Sequence, residues 1–445
     1  MTTTATAPAR LPAPDGAAGF AGFVSRARAA GLLVVQPRMG MSDPAVMRQG
    51  LLATRGAAAH TVGTLTIDSY TRVGDDAAAR AALAAGTALN GYPIATHSPD
   101  TTRGVLRGIR DADFPVQVRH GSADPTAIFR AMAALGLDAT EGGPVSYCLP
   151  YSRMPLRRSI ANWARSCELF AGAARSGITP HLETFGGCLL GQLCPPGLLV
   201  AMSVLEALFF RQHGIRSVSL SYAQQTDRAQ DLEAITALRR LADALLPDVD
   251  RHIVVYTYMG VYPYTPGGAL ALLDAATTLA VDSGAERLIV KTTAEAHRIP
   301  TIAENVTAME HAAAAAGRAA ANPVPPHIED TGIHDEALAI VAGVLELGSD
   351  VGAALAEAFA LGRLDVPYCL HPDNAGRARG VIDGDGRLQW ADTGALPIAQ
   401  PADVRRAAGR MTSSGLLTSL SHVARAFDRL ALDTAPAHLC LETTT

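Results

Sequence analysis

Along the chain, short apolar, β-branched runs alternate with longer stretches in which Ala and Leu recur at helical spacing, and the alternation persists from Ala30 to Ala315. Repeated β-α units of this kind build a parallel sheet with helices packed on its outer face. Nine runs read as strands: Leu32–Gln36, Val62–Ile67, Asn90–Ala95, Pro115–Val118, Val145–Cys148, His181–Phe185, Ser217–Ser221, His252–Tyr256 and Arg287–Val290. An eight-stranded barrel has room for one fewer, so Val145–Cys148 is expected to be an irregular segment or a strand outside the barrel. Six stretches read as helices, Asp124–Leu135, Met154–Ser176, Pro196–His213, Asp227–Leu245, Gly267–Ser283 and Thr301–Ala320, several opened by a capping Asp or Thr or by Pro in the first turn. The expected fold class is α/β, a (β/α)8 TIM barrel over residues 30–321, preceded by a disordered tail and lead-in helix over 1–29.

Pro323, Pro325 and Pro326 interrupt the helical pattern and mark a linker over Asn322–Asp330. Residues 322–445 then read as that linker and a C-terminal extension: helices over Asp335–Leu347 and Val351–Leu361, and a hairpin within Val366–Ile398 turning at Asp383–Gly386.

Composition narrows the function classes. Apolar residues make up 48% of the 445 and charged ones 18%, below the roughly 25% of ordinary chains, so a large core or an extensive subunit interface is expected. A formal charge of -5 without basic clusters gives no footprint for nucleic acid or an anionic membrane. Met1–Gly19, rich in Thr, Ala and Pro, lacks the pattern of a secretory signal, and Leu198–Phe210 carries Glu206 and is too short to span a bilayer. A cytoplasmic protein is expected. The six cysteines form no C-x-x-C pair, and the histidines show no metal-ligand spacing, so no metal site is assigned. Against 36 Arg there is a single Lys, Lys291. A compact ammonium on a flexible stem is not interchangeable with a guanidinium fork, which makes its retention a candidate functional signal.

Barrel active sites assemble at the C-terminal ends of the strands, so polar residues directly after apolar runs are the candidates. Arg38, Arg72 and Arg119 each follow or close such a run, with His120 next to the last; Glu141, Tyr147, Tyr151 and Glu183 come after, then Lys291 and Glu295. Three guanidinium forks at one mouth would grip a ligand with more than one carboxylate. Glu141, between the backbone freedom of Gly142-Gly143 and the phenols of Tyr147 and Tyr151, could hold an ammonium group. Together they describe a site for an amino dicarboxylate.

The motifs Q-P-R-x-G, T-I-D-x-Y-T-R, L-N-G-x-P, Q-x-R-H-G and E-G-G-x-x-S-Y-x-x-P-Y, beginning near Gln36, Thr66, Leu89, Gln117 and Glu141, occur in the order seen in the large subunit of glutamate mutase. Met259-Gly260-x-Tyr262-Pro263, Ile289-Val290-Lys291-Thr292-x-x-Glu295-Ala296 and Asn374-Ala375-Gly376 extend the likeness, which runs from about Ala30 to Pro397. The chain thus resembles a coenzyme B12-dependent carbon-skeleton mutase. The resemblance implies that Arg38, Arg72 and Arg119, with the backbone at His120, clasp the two carboxylates of L-glutamate, and that Glu141, Tyr147 and Tyr151 hold its amino group. It implies that Gly40, Asn90, Pro150, Tyr262, Lys291, Glu295 and Ile299 line adenosylcobalamin. It also implies a radical rearrangement to threo-3-methyl-L-aspartate, a homodimer of this chain, and a small B12-binding partner subunit in a heterotetramer. That partner would carry D-x-H-x-x-G, a motif this sequence lacks.

Tyr256 stands where the family usually has His, Ala294 where it has His, Glu357 where Lys is common, and Tyr262 where Phe is usual. A mutase for another amino dicarboxylate would keep the same arginines. A Schiff-base lyase using Lys291 would need a desolvated lysine, which Glu295 is expected to oppose. A catalytically silent amino-acid-binding barrel is the remaining alternative.

Overall fold

The computed structural model describes residues 19–189, 193–321, 327–399 and 412–434. Eight parallel strands, β1 (Val34–Gln36), β2 (Gly63–Thr66), β3 (Val116–Arg119), β4 (Ala139–Gly142), β5 (His181–Thr184), β6 (Ser217–Ala223), β7 (Asp250–Tyr256) and β8 (Arg287–Ile289), pair in chain order from β2 to β8, and β1 pairs with β8. A parallel bridge from Val35 to Thr61, where the Val35 amide donates to the His60 carbonyl at 2.9 Å, joins β1 to the start of β2 and closes the barrel.

Of the nine runs, Asn90–Ala95 is not a strand, and Val145–Cys148 is irregular, one of the two outcomes expected for it. Asn90–Ala95 is a loop folded over the end of β2: the Tyr92 amide donates to the Thr66 carbonyl at 2.8 Å, and a Cβ on Gly91 would lie 2.5 Å from the Ile67 carbonyl carbon. Pro93, which cannot donate to a ladder, fits a loop and not a central strand. Val145–Cys148 is a tight turn, with the Tyr147 amide bonded to the Gly143 carbonyl and that of Cys148 to Val145. The eighth barrel strand is instead β4, whose Ala-Thr-Glu-Gly sequence carries almost none of the β-branched apolar character by which strands are recognised.

Leu65, Val116, Val118, Leu182, Val218, Leu220, Ile253, Val255 and Leu288 are buried in the strands of the barrel. The alternate positions are polar yet equally buried: Gln36, Thr64, Gln117, Arg119, Glu141, His181, Glu183, Ser219, His252, Tyr256 and Arg287. Their mutual hydrogen bonds put them inside the barrel, where bulky aliphatic layers are the usual filling. The helix Pro196–Gln212 is buried almost all round because it is covered on its far side by Ile333–Leu345 and Val351–Leu361. The hairpin expected near Asp383–Gly386 is present as β9 (Arg379–Ile382) and β10 (Leu388–Asp392), with Asp383 Oδ1 accepting from the Asp385 and Arg387 amides. It is fastened to the barrel shell by Gln230, whose side chain bonds both backbone groups of Leu388 at 2.9 Å.

Among the described residues no helix is long and apolar enough to cross a membrane, and five cysteines are all buried and free. The expected N-terminal tail (residues 1–18), residues 322–326 of the linker and Cys440 lie outside the described residues; the lead-in helix is Phe20–Ala29.

The C-terminal helix His422–Thr434 reaches back to the mouth. Asp428 accepts from the Tyr264 amide (3.0 Å), the Thr265 amide (2.9 Å) and the Thr265 hydroxyl (2.6 Å), while Val423 and Phe427 pack with Tyr258, Tyr262 and Leu272. The loop after β7, which carries Tyr262 beside Lys291, is thus clasped from outside. Asp428→Ala removes three hydrogen bonds, each worth about 1 kcal/mol. The expected outcome is a lower melting temperature together with faster acylation of Lys291, the lone lysine, followed by mass spectrometry; an unchanged labelling rate would contradict the clasp.

Candidate functional site

Arg38, Arg119, His120, Glu141, Glu183 and Lys291 sit at or just beyond the C-terminal ends of strands, while Arg72, Asn90, Tyr147, Pro150, Tyr151, Tyr262, Glu295 and Ile299 lie further along the segments that follow them. Asp68 caps the short helix Ser69–Val73, accepting from the Tyr70 and Thr71 amides, and this helix carries Arg72 out of β2. Asn90 Oδ1 fixes the same helix start by accepting from the Ser69 amide at 2.9 Å. Gly121 has φ +75, and a Cβ there would lie 3.1 Å from Arg72 Cδ, so the arginine stem lies over the turn that follows Arg119 and His120. Gly40 brings the loop after β1 against β2: a Cβ would sit 2.0 Å from the Thr66 carbonyl oxygen. That loop carries Arg38, whose cation is felt by both Tyr151 and Lys291.

At the bottom of this mouth, Arg119 Nη2 meets Glu141 Oε2 at 2.8 Å, both side chains being almost wholly buried. Glu141 also accepts from the Tyr147 hydroxyl on Oε1 and from the Tyr256 hydroxyl on Oε2, the latter at 2.8 Å. Burial would strip the charge from Arg119, but Glu141 and its neighbours keep it protonated. Burial, and then the nearby Glu183, hold the Glu141 carboxyl above its ordinary value although Arg119 opposes the shift. Tyr151 stacks edge-on to Tyr147 at 5.8 Å and is 42% exposed, a lid residue more than a floor residue. His120 lies flat against Trp163 at 5.6 Å, its Nδ1 accepting from the Ser122 amide, and burial drives its pKa down to about 3, so it is neutral.

A second ion pair lies one layer deeper. Arg287 bonds Glu183 and Gln36, Gln117 donates to Glu183 Oε2 at 3.1 Å, and Ser219 donates to the same oxygen at 3.2 Å. Burial alone would raise Glu183, but Arg287 and Arg119 outweigh it and hold this carboxyl below its usual range. Tyr256 connects the two layers, its hydroxyl reaching Glu183 Oε1 as well as Glu141, with the Arg119 guanidinium 5.1 Å over its ring. Gln36 closes the first strand beside Arg38 and belongs to the expected set of strand-end polar residues, whereas Tyr256, Arg287 and Gln117 do not. Their signal in the sequence is a polar residue at every second position of an otherwise apolar strand, which reads as a solvent-facing position until closure of the barrel turns it inward.

The turn after β4 is held by Glu206, which accepts from the Val145, Ser146 and Phe185 amides and the Ser146 hydroxyl. A Cβ on Gly143 would fall 1.9 Å from this carboxylate, which is why the second glycine is needed here. Burial pushes Glu206 up to about 7 despite its four donors.

Among the described residues, several buried polar atoms at the mouth have no hydrogen-bond partner: Arg119 Nη1, Arg72 Nε, Thr66 Oγ1, Asp68 Oδ2 and Thr71 Oγ1, and across the barrel the Tyr262 hydroxyl. Unpaired guanidinium donors in a buried cleft are costly unless an anion meets them. The Lys291 ammonium lies 4.9 Å over the Tyr262 ring. Burial lowers its pKa to about 8, outweighing Glu295, which was expected to keep it charged; Arg38 adds to the lowering.

The sequence matches the family model described as Methylaspartate mutase E chain (MutE) over residues 14–413. It is 31% identical over 355 residues to a glutamate mutase epsilon subunit from Escherichia coli O157:H7, covering 76% of this chain and 73% of that one. It is 30% identical over 403 residues to one from Yersinia enterocolitica, covering 86% and 82%. An archaeal epsilon subunit, from Haloarcula marismortui, is 31% identical over 362 residues, covering 76% and 71%.

Because Lys291 is the sole lysine, its titration can be read directly. Its pKa lies below the ordinary 10.5, so the charged form is penalised in the folded state; the penalty is complete below pH 8 and is relieved as pH rises from 8 to 10.5. Acetylation of Lys291 in the folded protein should therefore rise through a midpoint near pH 8. A midpoint above pH 10 would show that the ammonium is not desolvated.

Proposed function

Because the chain belongs to the methylaspartate mutase E-chain family, we propose that it is the substrate-binding subunit of an adenosylcobalamin-dependent mutase interconverting L-glutamate and threo-3-methyl-L-aspartate. The observation that carries this reading is the pairing, in one buried mouth, of guanidinium donors that lack partners with a carboxylate that retains room for another donor. Arg119 keeps Nη1 free while Nη2 holds Glu141, and Arg72 keeps Nε free beside it. With Arg38 these groups would take the two carboxylates of an amino dicarboxylate, and Glu141, aided by Tyr147 and Tyr151, its ammonium.

The residues on the other side of the mouth suit a large polar cofactor. The Tyr262 hydroxyl is buried without a partner among the described residues, and Lys291 offers a compact donor next to it; on the Arg72 side, the loops at Gly40 and Asn90 run close to β2. Gly40, Asn90, Pro150, Tyr262, Lys291, Glu295 and Ile299 would hold adenosylcobalamin, which when bound supplies the radical that starts a carbon-skeleton rearrangement. The chain's own residues have a different task. They fix two small charged fragments so that recombination stays effectively intramolecular, and they keep water out. A buried, doubly tied carboxylate and a stacked guanidinium suit that task better than flexible surface groups.

No D-x-H-x-x-G occurs in the sequence, so the cobalamin is expected to arrive on a separate small subunit. Val73, Tyr264, Ile299 and Leu370, between 61 and 83% exposed, stand around the mouth as an apolar rim for such a partner. A homodimer of this chain working in the cytoplasm completes the proposal.

Proton NMR of L-glutamate with this chain, a small B12-binding subunit from a relative and adenosylcobalamin tests it. A methyl doublet of 3-methylaspartate is expected from the wild type, with Arg72→Lys reducing the rate by about tenfold to a thousandfold because a single ammonium cannot replace the fork. Turnover of a different amino dicarboxylate in place of glutamate would keep the site and overturn the substrate.

A further inference from the structure

Tyr256 touches every charged group at the bottom of the mouth yet belongs to none of the sets assigned so far. Its hydroxyl lies within hydrogen-bonding reach of two carboxylates at once, Glu141 Oε2 at 2.8 Å and Glu183 Oε1. A phenol has one proton to donate, so it cannot serve both fully at the same moment. The rest of the donor arrangement decides where that proton matters. Glu183 Oε2 already receives Arg287, Gln117 and Ser219, whereas Glu141 receives one contact from Arg119 and one from Tyr147 besides Tyr256. Glu141 is also the group that must remain ionised if it is to meet an ammonium, and it is fully buried beside a second carboxylate. The Tyr256 ring meanwhile lies under the Arg119 guanidinium and against Phe185, which fixes the phenol's position.

We propose that Tyr256 is the positioning residue that makes the site select amino-bearing over amino-free dicarboxylates, by lending its single proton to Glu141 so that this carboxylate stays ionised and oriented for a ligand ammonium. When the ammonium arrives, Glu141 gains a full donor and the phenol proton turns to Glu183 Oε1, which has no other donor among the described residues. No bond other than hydrogen bonds is made or broken, and the net charge of the buried group is unchanged. The inference rests on the amino dicarboxylate reading given above.

The groups facing Tyr256 are Arg119 on β3, Glu141 on β4, Glu183 on β5 and Cys188 just beyond β5; Tyr147 faces Glu141, and Arg287 on β8 faces Glu183. Without the phenol hydroxyl, Glu141 keeps the burial that raises its pKa and loses one of its opposing donors, so it takes up a proton at higher pH. A protonated Glu141 cannot pair with an ammonium. Loss of the hydroxyl therefore weakens amino ligands in a way that higher pH repairs, and leaves ligands without an amino group untouched.

The test is calorimetric titration of the full chain with L-glutamate and with glutarate, for wild type, Tyr256→Phe and Tyr256→His, between pH 6 and 9. Phe keeps the ring under Arg119 and removes only the hydroxyl; His restores a neutral donor and guards against a Phe variant that fails to fold. Tyr256→Phe is expected to lower the glutamate-to-glutarate affinity ratio by about tenfold or more at pH 7, with recovery toward pH 9, and Tyr256→His to restore most of it. Equal losses for both ligands would show that Tyr256 only supports the barrel, and unchanged affinities for both would show that Glu141 does not need it; either result overturns the inference while leaving the substrate reading standing. A wild-type chain that binds neither ligand would instead remove the amino dicarboxylate reading itself.

Discussion

The interior of this barrel depends on charge balance. Two carboxylates, Glu141 and Glu183, and two guanidiniums, Arg119 and Arg287, are buried together with a phenol between the pairs. Removing one partner of a buried ion pair typically costs about 3–5 kcal/mol, because the other charge is left without compensation. Aliphatic layers would have filled the same space more cheaply, so the polar filling is best understood by what it presents upward: Arg119 and Glu141, held rigid by a layer that is itself neutralised. The buried His181 and His252, stacked at 5.0 Å and kept uncharged by burial and by Arg287, insulate the lower side of that layer.

From this floor the mouth is built upward by backbone devices. The Asp68 cap and the Asn90 side chain orient the helix that carries Arg72, the close approach at Gly40 seats the Arg38 loop, and Glu206 pins the turn that delivers Tyr147. Across the barrel, the C-terminal helix clasps the loop of Tyr262 through Asp428, so a segment remote in sequence shapes the wall beside Lys291. The Arg119–Glu141 side of the mouth is fixed by buried charge, and the opposite side by packing from outside.

Much of this could be read from the sequence because βα periodicity survives in a chain so rich in Ala and Leu. The helices Asp227–Leu245 and Thr301–Ala320 match the observed Arg228–Leu245 and Ile302–Ala321 closely. Strands failed where local composition and tertiary environment disagreed. Asn90–Ala95 reads as a strand only through Tyr92, Ile94 and Ala95 and folds as a loop over β2, and Ala139–Gly142, without apolar β-branched residues, is held as a strand by its neighbours on both sides. Arg38, Arg72, Arg119 and Lys291 are legible because they follow or close apolar runs, and Glu141 because of the glycine pair and the tyrosines that come after it. Tyr256 and Arg287 were not, since only closure of the barrel reveals that they face the same point as Glu183. The lowered pKa of Lys291 was equally hidden: its sequence neighbour Glu295 suggested a charged ammonium, while burial, which prevails, and the Arg38 cation are features of the folded barrel.

Arg119 and Glu141, fixed from below by the Glu183–Arg287 pair, are the proposed floor of an amino dicarboxylate site. The decisive measurement is a crystal structure of the chain with L-glutamate. One carboxylate of the ligand is expected on Arg119 Nη1 and Arg72, the other reaching Arg38, the ammonium on Glu141, with no movement of the Glu183–Arg287 layer. Glutamate bound away from Arg119, or with its ammonium turned from Glu141 toward solvent, would contradict it.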